Sequence, residues 1–160
     1  VQPCGAPTRA GYAASLLALL APPGPLLTHA ISRRPGTRTT FSRTSCIDRY
    51  VVPDGELEPL GMMVDALESV GFEVRDVESL REHYALTLRE WVANLERGWD
   101  DAVGETSAAR ARIWRLYMAG SALAFAANRI GVNQVLAVKP GPRGVSGLPK
   151  TRTELLNTAR

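Results

Sequence analysis

Cysteine is nearly absent from this chain of 160 residues, with Cys4 and Cys46 the only two. Two thiols make no disulfide framework, and without a CxxC or a His/Cys cluster there is no zinc-type ligand set, so both are expected to be free. Long apolar runs are missing as well. The longest, Tyr12 to Pro25, is broken by Pro22 and Pro23 and falls well short of a membrane span. The first residues, from Val1, lack the charged and apolar parts of a secretion signal, which makes an intracellular, cytoplasmic location the expectation. Lysine is scarce, two against 17 arginines, and no stretch has the form of a nucleic-acid-binding motif, so no nucleic-acid partner is expected.

What is present is ordinary for a globular protein. Hydrophobic residues make up 45% and charged residues 22%, which excludes wholesale disorder, and the length suits one compact domain. The net charge of +3 is unevenly spread. Residues 1–50 hold six arginines and one acid, the middle is acidic, and the segment after Pro140 is basic again. Basic arms suit anionic lipid headgroups. A coding bias towards arginine gives the same composition without any partner.

Residues 1–11 have loop composition and are expected to form a disordered leader, residues 12–140 the folded domain, and residues 141–160 a flexible basic tail. Tyr12 to Leu20 reads as a short helix stopped by Pro22-Pro23-Gly24. Pro25 to Ile31 reads as an inner parallel strand, since its apolar body is continuous. Ser32 to Arg49 is a polar loop, and Ile47 to Leu57 an extended run into the Pro53-Asp54-Gly55 turn. Gly61 to Val70 is helical, Gly71 stops it, and Phe72 to Val77 alternates as a strand.

Two amphipathic helices follow. The first opens with a Ser79/Glu82 capping box and places Tyr84, Leu88, Trp91, Val92, Leu95 and Trp99 on one stripe. The second starts near Ser107 with Ile113, Trp114, Tyr117, Met118, Ser121 and Phe125 on one face, and Gly131 is expected to end it before a buried strand over Val132 to Val138. Helices this aromatic need a partner surface larger than each other. Strands alternating with helices predict an α/β fold with a parallel or mixed sheet of three strands, narrow for helices on both faces.

The segments PLLTHAI, IDRYVVPDGEL, SLREHYALTLREW, RIWRLYMAGSALAF and NQVLAVKP resemble the C-terminal part of the cyclopropane-fatty-acyl-phospholipid synthases and mycolic acid cyclopropane synthases. These are S-adenosylmethionine (SAM)-dependent lipid methyltransferases. The resemblance covers roughly Tyr12 to Pro140 and implies strands five, six and seven of a Rossmann-like sheet, the last antiparallel, in an incomplete domain with two long inserted helices over the lipid site. It implies methyl transfer from SAM to a cis double bond of an unsaturated phospholipid acyl chain, giving a cyclopropane or a methyl branch, with a bound bicarbonate as base. By the same resemblance His29 and Tyr84 would donate to that ion and Ile31 would contribute its backbone.

On residue type alone, His29 also fits a satisfied histidine at a strand end, and Tyr84 the first member of a core stripe. His83 has no assigned role. The remaining aromatics fit core packing or the lining of an acyl channel, Asp54 and Glu56 a solvated turn, and Met62 and Met63 helix packing.

A SAM site on this fold needs a Gly-rich turn after the first strand and an acid at the end of the second. The one glycine cluster, Gly141 to Gly147, is followed by Pro149 and a polar tail instead of the required helix. The expectation is therefore a fragment that neither binds SAM nor turns over as a free chain. Two alternatives follow: one half of a split enzyme needing a separate N-terminal polypeptide, or a non-catalytic lipid-binding module at an anionic inner membrane surface.

Overall fold

The computed structural model describes residues 6–36 and 57–158. Cys4, Cys46, Asp54, Glu56, the Ser32–Arg49 loop beyond residue 36 and most of the Ile47–Leu57 run lie outside them. The elements in order are α1 (Ala6–Leu19), β1 (Gly24–Arg33), β2 (Glu58–Pro59), α2 (Leu60–Ser69), β3 (Glu73–Ser79), α3 (Arg81–Arg97), α4 (Trp99–Glu105), α5 (Ala108–Ala126), β4 (Ile130–Lys139), a 3-10 turn (Pro142–Gly144) and α6 (Arg152–Thr158).

The sheet runs β2-β1-β4-β3. β4 is antiparallel to both neighbours, pairing with β1 from Gly24↔Lys139 to Arg33↔Ile130 and with β3 from Glu73↔Val138 to Ser79↔Asn133. The antiparallel last strand is as expected, but among the described residues the sheet has four strands, not three, because Glu58 and Pro59 pair in parallel with Ser32 and Arg33. Arg33 Nε donates to the Leu57 carbonyl (2.7 Å) and holds that short pairing in place.

Helices cover both faces. α1 and α2 set Ala13, Leu16, Leu17, Leu67 and Met63 against Leu26, Phe72, Val135 and Ala137. On the other face α3 and α5 set Ala85, Leu88, Ala122, Phe125 and Met118 against Ile31, Val132 and Ile130. Val132, Val135, Ala137 and Val138 are fully buried, as a central strand between two helical layers requires. β1 is not covered on both faces as its apolar run suggested. Leu27 is 60% exposed and His29 is exposed, because α3 and α5 reach only the far half of that strand and β2 is two residues long.

Several boundaries differ from the sequence expectation for identifiable reasons. α1 begins at Ala6, so part of the expected leader is helical. Its C-terminal carbonyls at Leu17 and Leu20 each accept from Lys139 Nζ (2.8 Å), a cation at the negative end of a helix. Ser79 does not cap α3. It closes β3, the N-cap is Leu80, and the Leu80 N–H donates to the Val132 carbonyl (2.9 Å), so strand pairing takes the residue the capping box needed. Glu82 meets Arg81 instead, and Arg81 Nη1 donates to the Phe125 carbonyl (2.7 Å) at the end of α5.

Ser107 does cap α5, its hydroxyl accepting from the Arg110 N–H (3.2 Å). That helix ends at Ala126, and the turn is made by Asn128 at φ 53, a left-handed conformation asparagine tolerates. Gly131 lies inside β4, where a Cβ would stand 3.2 Å from Ser32 Oγ. The segment expected to be a flexible tail holds the 3-10 turn and α6, capped reciprocally by Thr151 and Glu154. It lies across β3, with Arg75 Nη2 donating to the Pro149 carbonyl (3.3 Å) and Arg152 paired to Asp76 (3.5 Å).

Candidate functional site

His29 and Tyr84 come from different elements and meet on the α3/α5 face of the sheet. His29 stands on β1, and Tyr84 in the first turn of α3, where Tyr84, Leu88 and Phe125 pack over Ile31 and Val132. The His29 and Tyr84 rings are 6.2 Å apart and tilted by 53°. Tyr84 is fixed by edge contacts on two further sides, to Phe125 (5.1 Å) and to Trp91 (6.1 Å). Phe125, 1% exposed, is the anchor beneath it. Ile31 sits two residues after His29 on the same strand face and is half-buried in this cluster.

Polar groups gather around that pair. β1, β4 and β3 place His29, Gln134 and Glu78 in one row across the sheet, since Gln134 is the register partner of both. The Gln134 side-chain nitrogen lies 3.4 Å from His29 Nδ1. On α5, Tyr117 lies near enough to Tyr84 to interact with it electrostatically. Burial pushes its phenol above the ordinary tyrosine range, a hydrogen bond with Ser121 pulls partly back, and the neighbouring Tyr84 phenol pushes up again. Trp114 meets Tyr117 edge-on at 5.6 Å.

The result is a set of hydrogen-bonding groups (imidazole, two phenols, a hydroxyl and an amide) inside an aromatic frame, with the Glu78 carboxylate at the end of the row and exposed Leu27, Trp91 and Trp114 at its rim. Such a set suits a small anion held beside an apolar chain. The structure thus brings together the three residues singled out in the sequence. Gln134, Glu78 and the polar side of Tyr117 and Ser121 were not singled out. Gln134 is visible as one of two adjacent amides, with Asn133, between Val132 and the apolar run Val135 to Val138, but its partner depends on a strand register no local pattern supplies. A concavity of about 480 Å³ between α1 and α2, lined by Arg9, Met62, Asp65 and Glu68, lies on the opposite face of the sheet and plays no part in this site.

Among the described residues nothing fits a SAM cradle. The Gly141 to Gly147 segment holds the 3-10 turn of Pro142–Gly144, and no α-helix opens until Arg152. The glycine at 147 serves packing, with φ +70 and a hypothetical Cβ 3.0 Å from Pro23 Cγ. An imidazole and a phenol, as at His29 and Tyr84, are groups of the kind that donate to an oxyanion.

Known proteins resemble the chain along most of its length. It is 46% identical over 126 residues to a "Probable fatty acid methyltransferase" of Mycobacterium tuberculosis, covering 79% of this chain and 29% of the relative. A Pseudomonas putida protein of the same description is 49% identical over 109 residues, 68% of this chain and 28% of that one. Among solved structures, the cyclopropane synthase MmaA2 from Mycobacterium tuberculosis aligns with a TM-score of 0.75 and 26% identity over 83% of this chain and 50% of that one. The mycolic acid cyclopropane synthase CmaA1, complexed with SAH and CTAB, gives 0.75 and 28% over 84% and 51%. The chain therefore spans less than a third of these curated relatives and about half of the solved structures. The sequence pattern of one family, described as mycolic acid cyclopropane synthetase, matches residues 4–135, and this chain belongs to it.

Proposed function

We propose that this chain forms the acyl-side wall and the anion-holding part of a SAM-dependent fatty-acyl methyltransferase of the cyclopropane synthase type. The single observation that carries the reading is the meeting of His29 and Tyr84, from β1 and α3, at 6.2 Å on one face of the sheet. In this reading the His29 imidazole and the Tyr84 phenol donate to a bicarbonate, the Ile31 backbone lies beside it, and Phe125 and Trp91 hold the phenol in place. The ion supplies a base at the reacting double bond, and the exposed Leu27, Trp91 and Trp114 line the path of the acyl chain. The methyl donor sits on sheet strands outside the described residues. As a free chain it gives no heat of binding with SAM in isothermal titration.

The edge of β1 supports a second reading of the assembly. β2 pairs only with Ser32 and Arg33, so Gly24–Ile31 has no strand beside it on that side among the described residues. A separate polypeptide supplying the remaining strands would cover that edge. Co-purification of such a polypeptide with this chain would separate a split enzyme from a fragment. The proposed setting is cytoplasmic, with the enzyme peripheral at an anionic inner membrane surface.

The decisive experiment replaces the matched segment of the Pseudomonas putida relative with the corresponding residues of this chain and measures methyl transfer from SAM to vesicles of unsaturated phospholipid. Transfer is expected in the chimera, and a loss of at least tenfold with His29→Gln or Tyr84→Phe, the effect of removing one hydrogen bond to a charged group, roughly 1.5–3 kcal/mol. Full activity with both substitutions in place would overturn the proposal.

A further inference from the structure

We infer that Gln134 is a positioning residue: its side-chain amide donates to Nδ1 of His29 and so keeps the imidazole proton on Nε2. The backbone supplies the first half of the case. His29 and Gln134 are register partners on β1 and β4, so their side chains rise from the same face of the sheet as a cross-strand pair. The side chains supply the second. The Gln134 amide nitrogen lies 3.4 Å from His29 Nδ1, and an amide nitrogen only donates, which makes Nδ1 the acceptor and Nε2 the protonated atom. Glu78, the partner of Gln134 on the third strand, stands on the far side of this neutral amide. A carboxylate at position 134 would accept instead of donate and would draw the proton onto Nδ1. The inference rests on the proposed function only for the purpose of the Nε2–H, which there donates to the bound oxyanion; the tautomer is a property of this chain alone.

The test is a long-range proton–nitrogen correlation spectrum of the purified chain, labelled with 15N histidine and recorded at about pH 9, where imidazole is neutral. His83 serves as the internal reference. The expected result is His29 protonated on Nε2, with its Nδ1 resonance shifted by the accepted hydrogen bond. Gln134→Glu moves the proton to Nδ1, and Gln134→Leu, which leaves nothing donating to Nδ1, lets a share of the proton onto Nδ1 and returns the remaining Nδ1 resonance to the value of a free acceptor. Wild type with the proton on Nδ1 would overturn the inference. So would a His29 pattern that neither substitution changes while the backbone amide spectrum stays native. In the chimera, tautomer reversal by Gln134→Glu without loss of methyl transfer would sink the proposed role of His29 and leave the positioning by Gln134 standing.

Discussion

Phe125 is the residue on which packing and site geometry meet, and replacing it separates the two contributions. Its side chain is 1% exposed, lies among Ala85, Leu88, Ala122 and Val132, and touches the Tyr84 ring edge-on at 5.1 Å and 66°. Truncation to alanine removes a whole buried ring, a loss of about 3–5 kcal/mol. Out of a total of roughly 5–15 kcal/mol that would put the chain near unfolding. Phe125→Leu is the better probe. Leucine refills most of the volume and forfeits chiefly the aromatic contact, about 0.5–1.5 kcal/mol, with a small cavity beyond it. For a chain of this size about 1–2 kcal/mol lowers Tm by roughly 2–8 °C.

The same change combined with Tyr84→Leu closes a double-mutant cycle by urea denaturation. The expected coupling between Tyr84 and Phe125 is about 0.5–1.5 kcal/mol, since the rings are in direct contact. A coupling below about 0.3 kcal/mol, within the usual error of additivity, would refute the claim that Phe125 holds the phenol in position.

Further expectations concern the ends of the structure and its protonation. Lys139→Met removes the cation from the Leu17 and Leu20 carbonyls and should cost about 1–3 kcal/mol, read by urea denaturation and by faster hydrogen exchange in the last turn of α1. Asn133→Ala leaves the buried Ser32 hydroxyl without the donor it now meets at 2.7 Å, at a cost of about 1–3 kcal/mol that Ser32→Ala in the same chain should partly restore. Tyr117 should ionise above the ordinary tyrosine value of 10.0, because burial outweighs its hydrogen bond to Ser121, and Ser121→Ala should raise it further in an absorbance titration. The folded chain then holds that proton more tightly than the unfolded one. Stability should therefore fall as pH rises past about 10, and a rise there would contradict the burial of this phenol.

The fold was legible where periodicity was strong and local. The helical stripe of Tyr84, Leu88 and Trp91, the Ser107 cap and the apolar run of β4 all show in a window of a dozen residues. Boundaries failed where a tertiary partner took over a local signal. Ser79 has the spacing of a capping box, but β3 needs it for pairing with Asn133, while the same spacing at Thr151 and Glu154 does form one. Gly131 reads as a stop and is a strand residue, because Asn128 already makes the turn. At the site, His29 and Tyr84 came through the family resemblance. Gln134 beside His29 depends on which strand lies beside which, and Tyr117 near Tyr84 on which helices pack together, and both are set by packing over the whole chain.

The position of β4 has a consequence for how the chain is made. The two strands it joins, β1 and β3, precede it in the chain and do not touch each other; each meets β4 only when the last third of the polypeptide has left the ribosome, with Gly24 waiting for Lys139. Until then α1, α2 and α3 have half a surface to rest on, and the nascent chain exposes apolar strands that fit other copies of themselves. A stop codon placed before Ile130 should leave only the two-residue pairing of β1 with β2, so even a short C-terminal truncation reaching that strand is predicted to yield aggregate in place of a smaller folded protein.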